Sequence, residues 1–354
     1  MAYTTIDDPE AYFHVKLYTG DGSTQSLTLD GDTDMQPDFL WVKDRTGDEW
    51  HNFVDSVRGV TKYIHSNATN AEAANSNRIT AFNSDGFSLG NDNNTNYNTR
   101  SFVAWCWKAG TSLSNSADTN GGSIATTGSI NTTSGFGIVQ YEGSGANATI
   151  YHGLTKIPRM IITKNIDQTF HWSVYAFTSN TTILRLNGTD APATESAFQS
   201  TDPTATVQSL GDHNQNNGVT DGSADTHISY MFCDVQGFQK IGKYEGNGNA
   251  DGTFVFCGLR PAYIMIKRTD STDNWIIFDN KRPADSNPCH DYLKANASAA
   301  EDTDDADLGL DFLSNGFKLR GDNAAINADG GTYIYIAFAE TPFVNSNGVP
   351  CNAR

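Results

Sequence analysis

No stretch of this sequence approaches the roughly 18 consecutive apolar residues that a membrane-spanning helix requires, so membrane insertion is not expected. Cations are scarce: Lys and Arg number 23 against 41 Asp and Glu, a net charge of −18. A polyanion repels nucleic-acid phosphates, which argues against a nucleic-acid partner. Cysteine is sparse too. Cys106, Cys233, Cys257, Cys289 and Cys351 are scattered without a CxxC pair, so reduced, packed thiols are expected rather than a disulfide framework or a zinc site. Hydrophobic residues make up 38%, below the roughly 45–50% usual for globular chains. They are well patterned, so thin cores under a polar surface are expected rather than disorder. The opening MAYTTIDDPEAYFHVKLYTG has no basic region followed by an apolar one, so a signal peptide is not expected and synthesis in a cytoplasm is.

What is present is repetition. QPDFLWVKDRTGDEWHNFVDSVRG, IPRMIITKNIDQTFHWSVYAF and RPAYIMIKRTDSTDNWIIFDNKR share one frame. Pro37, Pro158 and Pro261 stand six residues before Lys43, Lys164 and Lys267. Trp50, Trp172 and Trp275 follow the prolines by thirteen or fourteen residues. Glycine-rich turns precede each proline, and an alternating strand closes each unit (SFVAWCWKAG, THISYMFCDV, TYIYIAFAET). Period-2 alternation with Gly, Asn, Asp and Ser punctuation predicts an all-β chain of three tandem antiparallel β-sandwich units of about 100 residues each, jelly-roll or lectin-like. The expected boundaries are a docking segment at 1–15 (with Tyr3, Tyr12 and Phe13), units at 16–111, 136–236 and 237–354, and a Ser/Thr/Gly linker at 112–135. The repeated lysines are expected to keep edge strands soluble, and the tryptophans mainly to pack.

Catalytic signatures are missing. None of the eight histidines falls in HExxH, and there is no GxSxG elbow. GSGANAT and GNGNADG are followed by strands, whereas a phosphate cradle needs a helix N-terminus. The expectation is a protein that is not an enzyme and needs no cofactor. The acidic run EDTDDADLGLD offers hard oxygen ligands, with Asp302, Asp304 and Asp305 as candidate ligands for a structural Ca²⁺. Asn67, Asn187 and Asn296 begin Asn-x-Ser/Thr triplets at matching places in the repeats, and are read as loop formers.

KLYTGDGSTQSL, QPDFLWVKDRT, DSVRGVTKYIHSNATNAEA, FNSDGFSLG, SFVAWCWKAG, LRPAYIMIKRTDSTDNWIIFDNKR and GGTYIYIAFAETPFVNSNGVP carry a resemblance that runs nearly end to end and is weakest over 178–227. The sequence resembles virion structural proteins of marine bacteriophages, including phages of cyanobacteria, often described as tail-fibre-like. That resemblance implies a bacteriophage structural protein, made in the host bacterial cytoplasm and placed on the virion exterior, and it brings no catalytic residues.

Two roles fit such a protein. One is a tail-fibre or tail-attached component that touches host-surface glycan or protein; sugars stack on aromatic faces and bond to Asn and Asp. Its candidate residues are Trp50, Trp172, Trp275, Asn94, Asn96 and Tyr97, and its candidate loops 91–100, 212–224 and 301–309. The other is a capsid decoration, head fibre or connector that binds only other virion proteins. Either role predicts an oligomer, and a homotrimer is expected.

Overall fold

A computed structural model describes residues 2–177, 179–283, 287–303 and 305–351. The all-β class holds. One antiparallel four-strand order recurs three times. The first sheet runs Phe13–Thr19, Ser101–Trp107, Phe39–Asp44, Asn52–Asp55. The second contains Phe136–Glu142, Thr226–Cys233, Pro158–Asn165, Ser173–Ala176. The third contains Gln239–Glu245, Thr332–Pro342, Leu259–Arg268, Trp275–Asp279. In each, the closing strand lies between the hairpin strand and the proline strand.

The proline strands are interior, and both their faces are buried. Phe39 and Trp41 enter one apolar cluster while Leu40 and Val42 enter another. That explains the continuous runs DFLWV, RMIIT and AYIMI, since a strand covered on both sides has no polar face to alternate. On its outer side each large sheet packs against a small one. Those are built on Gln25–Leu27 with Phe87–Leu89, Ala148–Tyr151 with Val207–Leu210, and Phe254–Phe256 with Gly316–Leu319. Three separate clusters fill these layers. The inner faces of all three large sheets meet in one shared cluster that includes Trp105, Phe136, Tyr230, Tyr263 and Phe338. Its apolar centre leaves a void of about 10 Å³. That is at the lower limit for one water, and an apolar lining gives a water no partners.

Bonds between the units close into a ring. His51, Trp172 and Trp275 occupy equivalent positions, fourteen residues past each proline. The Trp172 Nε1–H donates to the carbonyl of His65 at 2.9 Å, and the Trp275 Nε1–H to that of Arg185 at 2.9 Å. His51 Nε2 donates to the carbonyl of Lys294 at 3.1 Å, while its Nδ1 accepts from Trp41 Nε1 at 2.7 Å, which fixes the tautomer. Unit one thus reaches unit three, three reaches two, and two reaches one. A head-to-tail contact that closes is the cyclic arrangement of a trimer, here within one chain.

Two expectations need correction. Lys43, Lys164 and Lys267 do not solubilise an edge: all are fully buried at the ends of interior strands. Each ammonium donates to the carbonyl of the next residue, at 2.6, 2.6 and 2.9 Å, and to a second loop carbonyl. Burial pulls their pKa values down to about 8, 7 and 8.

The stretch 112–135 is not a free linker. Thr111–Asn115 pairs with Thr126–Asn131, which pairs with Phe136–Glu142, so it extends the second sheet. Residues 2–15, the expected docking segment, are packed on their own chain. The Tyr3 hydroxyl donates to Gly258 at 2.7 Å, the Thr4 hydroxyl to Gln236 at 2.8 Å, and Phe13 stacks on Phe338 in the shared core.

Candidate functional site

Every unit carries one short helix: Asn93–Asn96, Asn214–Asn217 and Ala324–Asn327. Its last residue is a buried asparagine that holds the glycine-rich turn of the same unit. The side-chain oxygens of Asn96, Asn217 and Asn327 accept from the backbone of Asp21, Ser144 and Asn247 at 2.9, 2.7 and 2.9 Å. Their amides donate to Gly90, Gly211 and Gly321 at 2.8, 3.1 and 2.8 Å. The turn comes so close that a Cβ on Gly20, Gly143 or Gly246 would lie 2.2 or 2.3 Å from a carbonyl oxygen of the residue after the helix. Asn96 is therefore a turn clamp with its bonds used internally. It is corrected as a ligand residue.

The same structural element makes the first unit different. The residue after its helix is Tyr97, where the other units have Gly218 and Ala328. Tyr97 is 37% exposed, and the Arg100 guanidinium lies 4.0 Å over its ring. Arg100 also reaches Asp44 at 2.8 Å and Glu49 at 3.6 Å, which draws Tyr97 toward the 44–50 turn. Paired with Asp44, its guanidinium is held above the ordinary arginine range.

That turn ends in Trp50, 40% exposed, its ring edge-on to His65 at 4.8 Å. The Asn52 amide donates to the carbonyls of Trp50 at 2.9 Å and Asn94 at 3.4 Å, joining the two loops. Arg78 fixes Asn52 at 2.6 Å and pairs with Asp92, which caps the short helix through Asn94 N–H at 2.9 Å. Burial lowers the His65 pKa to about 4, so the imidazole behind Trp50 is uncharged at neutral pH.

Of the sequence candidates, Trp50, Asn94 and Tyr97 thus lie on two loops that Asn52 joins, with the rings of Trp50 and Tyr97 exposed. Trp172 and Trp275 are instead fully buried as ring-closing donors, and they are corrected as surface platforms. Asn52, Arg78 and Arg100 were not singled out from sequence. Asn52 carries a signal nonetheless, since a polar residue opens a strand whose third-unit counterpart opens on Trp275-Ile276. Asn67, Asn187 and Asn296 accept from the backbone of His51, Trp172 and Trp275 at 3.1, 3.0 and 2.9 Å.

Two other expected loops differ. In 212–224, a shallow depression includes Asp212, His213 and Asn214 beside Phe170, and His213 Nε2 pairs with Glu195 at 2.5 Å. In 301–309, Glu301 ties units together through Arg45 at 2.7 Å and Arg282 at 2.6 Å. Asp302 pairs with Lys294 at 2.7 Å, and Asp305 accepts from the Tyr292 hydroxyl at 3.2 Å. Asp304 lies outside the described residues. Among the described residues, no group of three or more His, Cys, Asp or Glu is arranged to hold a metal ion.

A family model described as a domain of unknown function (DUF7483) matches residues 8–342. The chain belongs to this family. One DUF7483 domain therefore covers all three sheet units, in keeping with their common core and closed ring. A search of curated proteins found no match.

Proposed function

We propose that this DUF7483 protein is a non-enzymatic structural component of a bacteriophage virion, a tail-fibre or tail-attached protein that contacts the host surface through the Trp50–Tyr97 face. The observation that carries the reading is that these two exposed rings occur on loops anchored by Asn52, Arg78 and Arg100. Rigid aromatic faces beside amide and carboxylate groups suit a saccharide, whose C–H face stacks while its hydroxyls bond. The same places in units two and three hold His171 with Gly218 and Asn274 with Ala328, so one such face per chain is expected. The virion setting rests on the sequence resemblance. It implies display on the exterior in several copies, as a homotrimer.

The test is binding of labelled protein to intact marine bacterial cells, cyanobacteria included, and to phage particles lacking the protein. Saturable binding to cells that Trp50→Ala or Tyr97→Ala abolishes supports the reading. Binding only to the deficient particles replaces it with a capsid decoration, head fibre or connector.

A further inference from the structure

The three units provide internal controls for one another, and one side of the third is left open where that of the second is closed. In unit two the gap between the outer edges of the large and small sheets is covered by the chain itself. Ser123 N–H donates to the Thr149 carbonyl at 2.9 Å, Ile124 bridges Ile150 in parallel, and the Thr126 hydroxyl donates to Tyr151 at 2.9 Å. The same segment then continues as Thr126–Asn131 along Phe136–Glu142.

In unit three the equivalent edges are Gln239–Glu245 and Phe254–Phe256, and both are terminal strands of their sheets. The gap between them is a groove of about 380 Å³. Strand register makes Ser26, Thr149 and Phe254 equivalent, and likewise Thr28, Tyr151 and Phe256. Only the third unit places two phenylalanines there, 46% and 58% exposed. The groove is also cationic in a chain of net charge −18, being lined by Arg159, Lys240 and Lys243. Lys240 pairs with Asp234. Lys243 is exposed and has no carboxylate partner among the described residues, and Arg159 stacks on Phe177 at 3.9 Å.

We infer that this groove receives an extended, acidic segment of another protein, laid between the two sheet edges as residues 122–131 lie in unit two. Exposed aromatics supply the apolar anchor and the unpaired cations select negative charge. The inference does not depend on the proposed function.

The test uses two fluorescent peptides and the full-length protein. One is the covering segment itself, GGSIATTGSIN (residues 121–131). The other is the same peptide with Ala125→Glu and Thr127→Glu, two positions that face outward in unit two. The acidic peptide should bind saturably, at least about tenfold more tightly than the neutral one, and more weakly in high salt. The double variant Phe254→Ser, Phe256→Thr, which installs the first unit's residues, should reduce binding at least about tenfold with an unchanged thermal midpoint. So should Lys243→Glu. Absence of saturable binding, or equal binding by these variants, overturns the inference. Self-association of the protein that the double variant abolishes overturns it as well, because a second copy would then occupy the groove.

Discussion

The Tyr230 hydroxyl crosses a unit boundary to donate to the Asp55 carboxylate at 2.8 Å. Arg58 holds the same carboxylate at 2.6 Å, and both ionic side chains are buried. The third unit repeats the device: Asp279 pairs with Arg282 at 2.6 Å and accepts from Trp105 Nε1 at 2.9 Å. At the remaining junction the three positions are Ala176, Ser179 and Ile336, so acceptor, cation and donor have all been replaced. The set is present whole or absent whole, as expected when a buried charge left without partners is costly.

Asp55→Ala should therefore destabilise the fold by about 3–5 kcal/mol, because it removes the buried carboxylate that accepts from the Tyr230 hydroxyl and leaves the buried Arg58 guanidinium only Glu72, at 3.2 Å, as its anion. Adding Arg58→Ser and Tyr230→Ile reproduces the second junction's residues and should recover at least half of the loss. Urea midpoints of the single and triple variants check this. A triple variant no more stable than Asp55→Ala would show that the three side chains do not act as a unit.

Buried neutral histidines set the acid limit. His65, His152 and His227 have pKa values lowered by burial to about 4, and that of His51 is pushed down in the same direction. An unfolded histidine titrates near 6.5, so between about pH 4 and 6.5 the unfolded chain binds more protons and stability rises with pH. Each histidine adds up to about 1.4 kcal/mol per pH unit in that window. The buried lysines, with folded values of about 8, 7 and 8, extend the rise from pH 7 to about 8.5 by the same sign. Above that the thiols of Cys106, Cys233, Cys257 and Cys289, pushed up by burial, act with the opposite sign. Thermal midpoints measured in steps from pH 4 to about 8.5 should climb through both windows. A decline between pH 4.5 and 6.5 would contradict neutral burial of the imidazoles.

The repeat frame was legible because prolines, lysines and apolar runs hold a constant spacing. The errors came from matching residue types where position should have ruled. Trp50 lies thirteen residues past its proline and Trp172 and Trp275 fourteen, and on a strand one residue reverses the face. His51 consequently takes the inward, ring-closing place and Trp50 points out. The lysines misled for a different reason: a cation ending an apolar run reads as solvent-exposed, and the loop carbonyls that accept from Lys164 come from residues 165 and 168, whose backbone path sequence does not specify. The tie between Trp50 and Asn94 runs through Asn52 across 42 residues, a tertiary contact that no local pattern reports.

The asparagine clamps predict a local cost. Asn327→Ala leaves Asn247 N–H and the Gly321 carbonyl without their partner, a loss of about 1–3 kcal/mol for each buried group that finds no water. Gly246→Ala should be similarly harmful, since its Cβ would lie 2.3 Å from the Ala328 carbonyl oxygen. Both variants should expose the 246–252 turn to limited proteolysis before the rest of the chain is cut. Digestion patterns followed by mass spectrometry would show whether the first cut falls there.

The sharpest contrast separates two tryptophans that the sequence treated alike. Trp172 fills the shared core and supplies one of the three ring-closing bonds, so Trp172→Ala should cost about 3–5 kcal/mol and weaken the junction of units one and two. Trp50→Ala removes a ring that is 40% exposed and edge-on to His65, so it should cost about 1–2 kcal/mol, well below Trp172→Ala. If the Trp50–Tyr97 face contacts cells, the second substitution should abolish binding in a protein that still unfolds cooperatively and is folded at the assay temperature. Loss of binding in step with loss of stability would instead make Trp50 a packing residue, and the exposed face would have no claim to recognition.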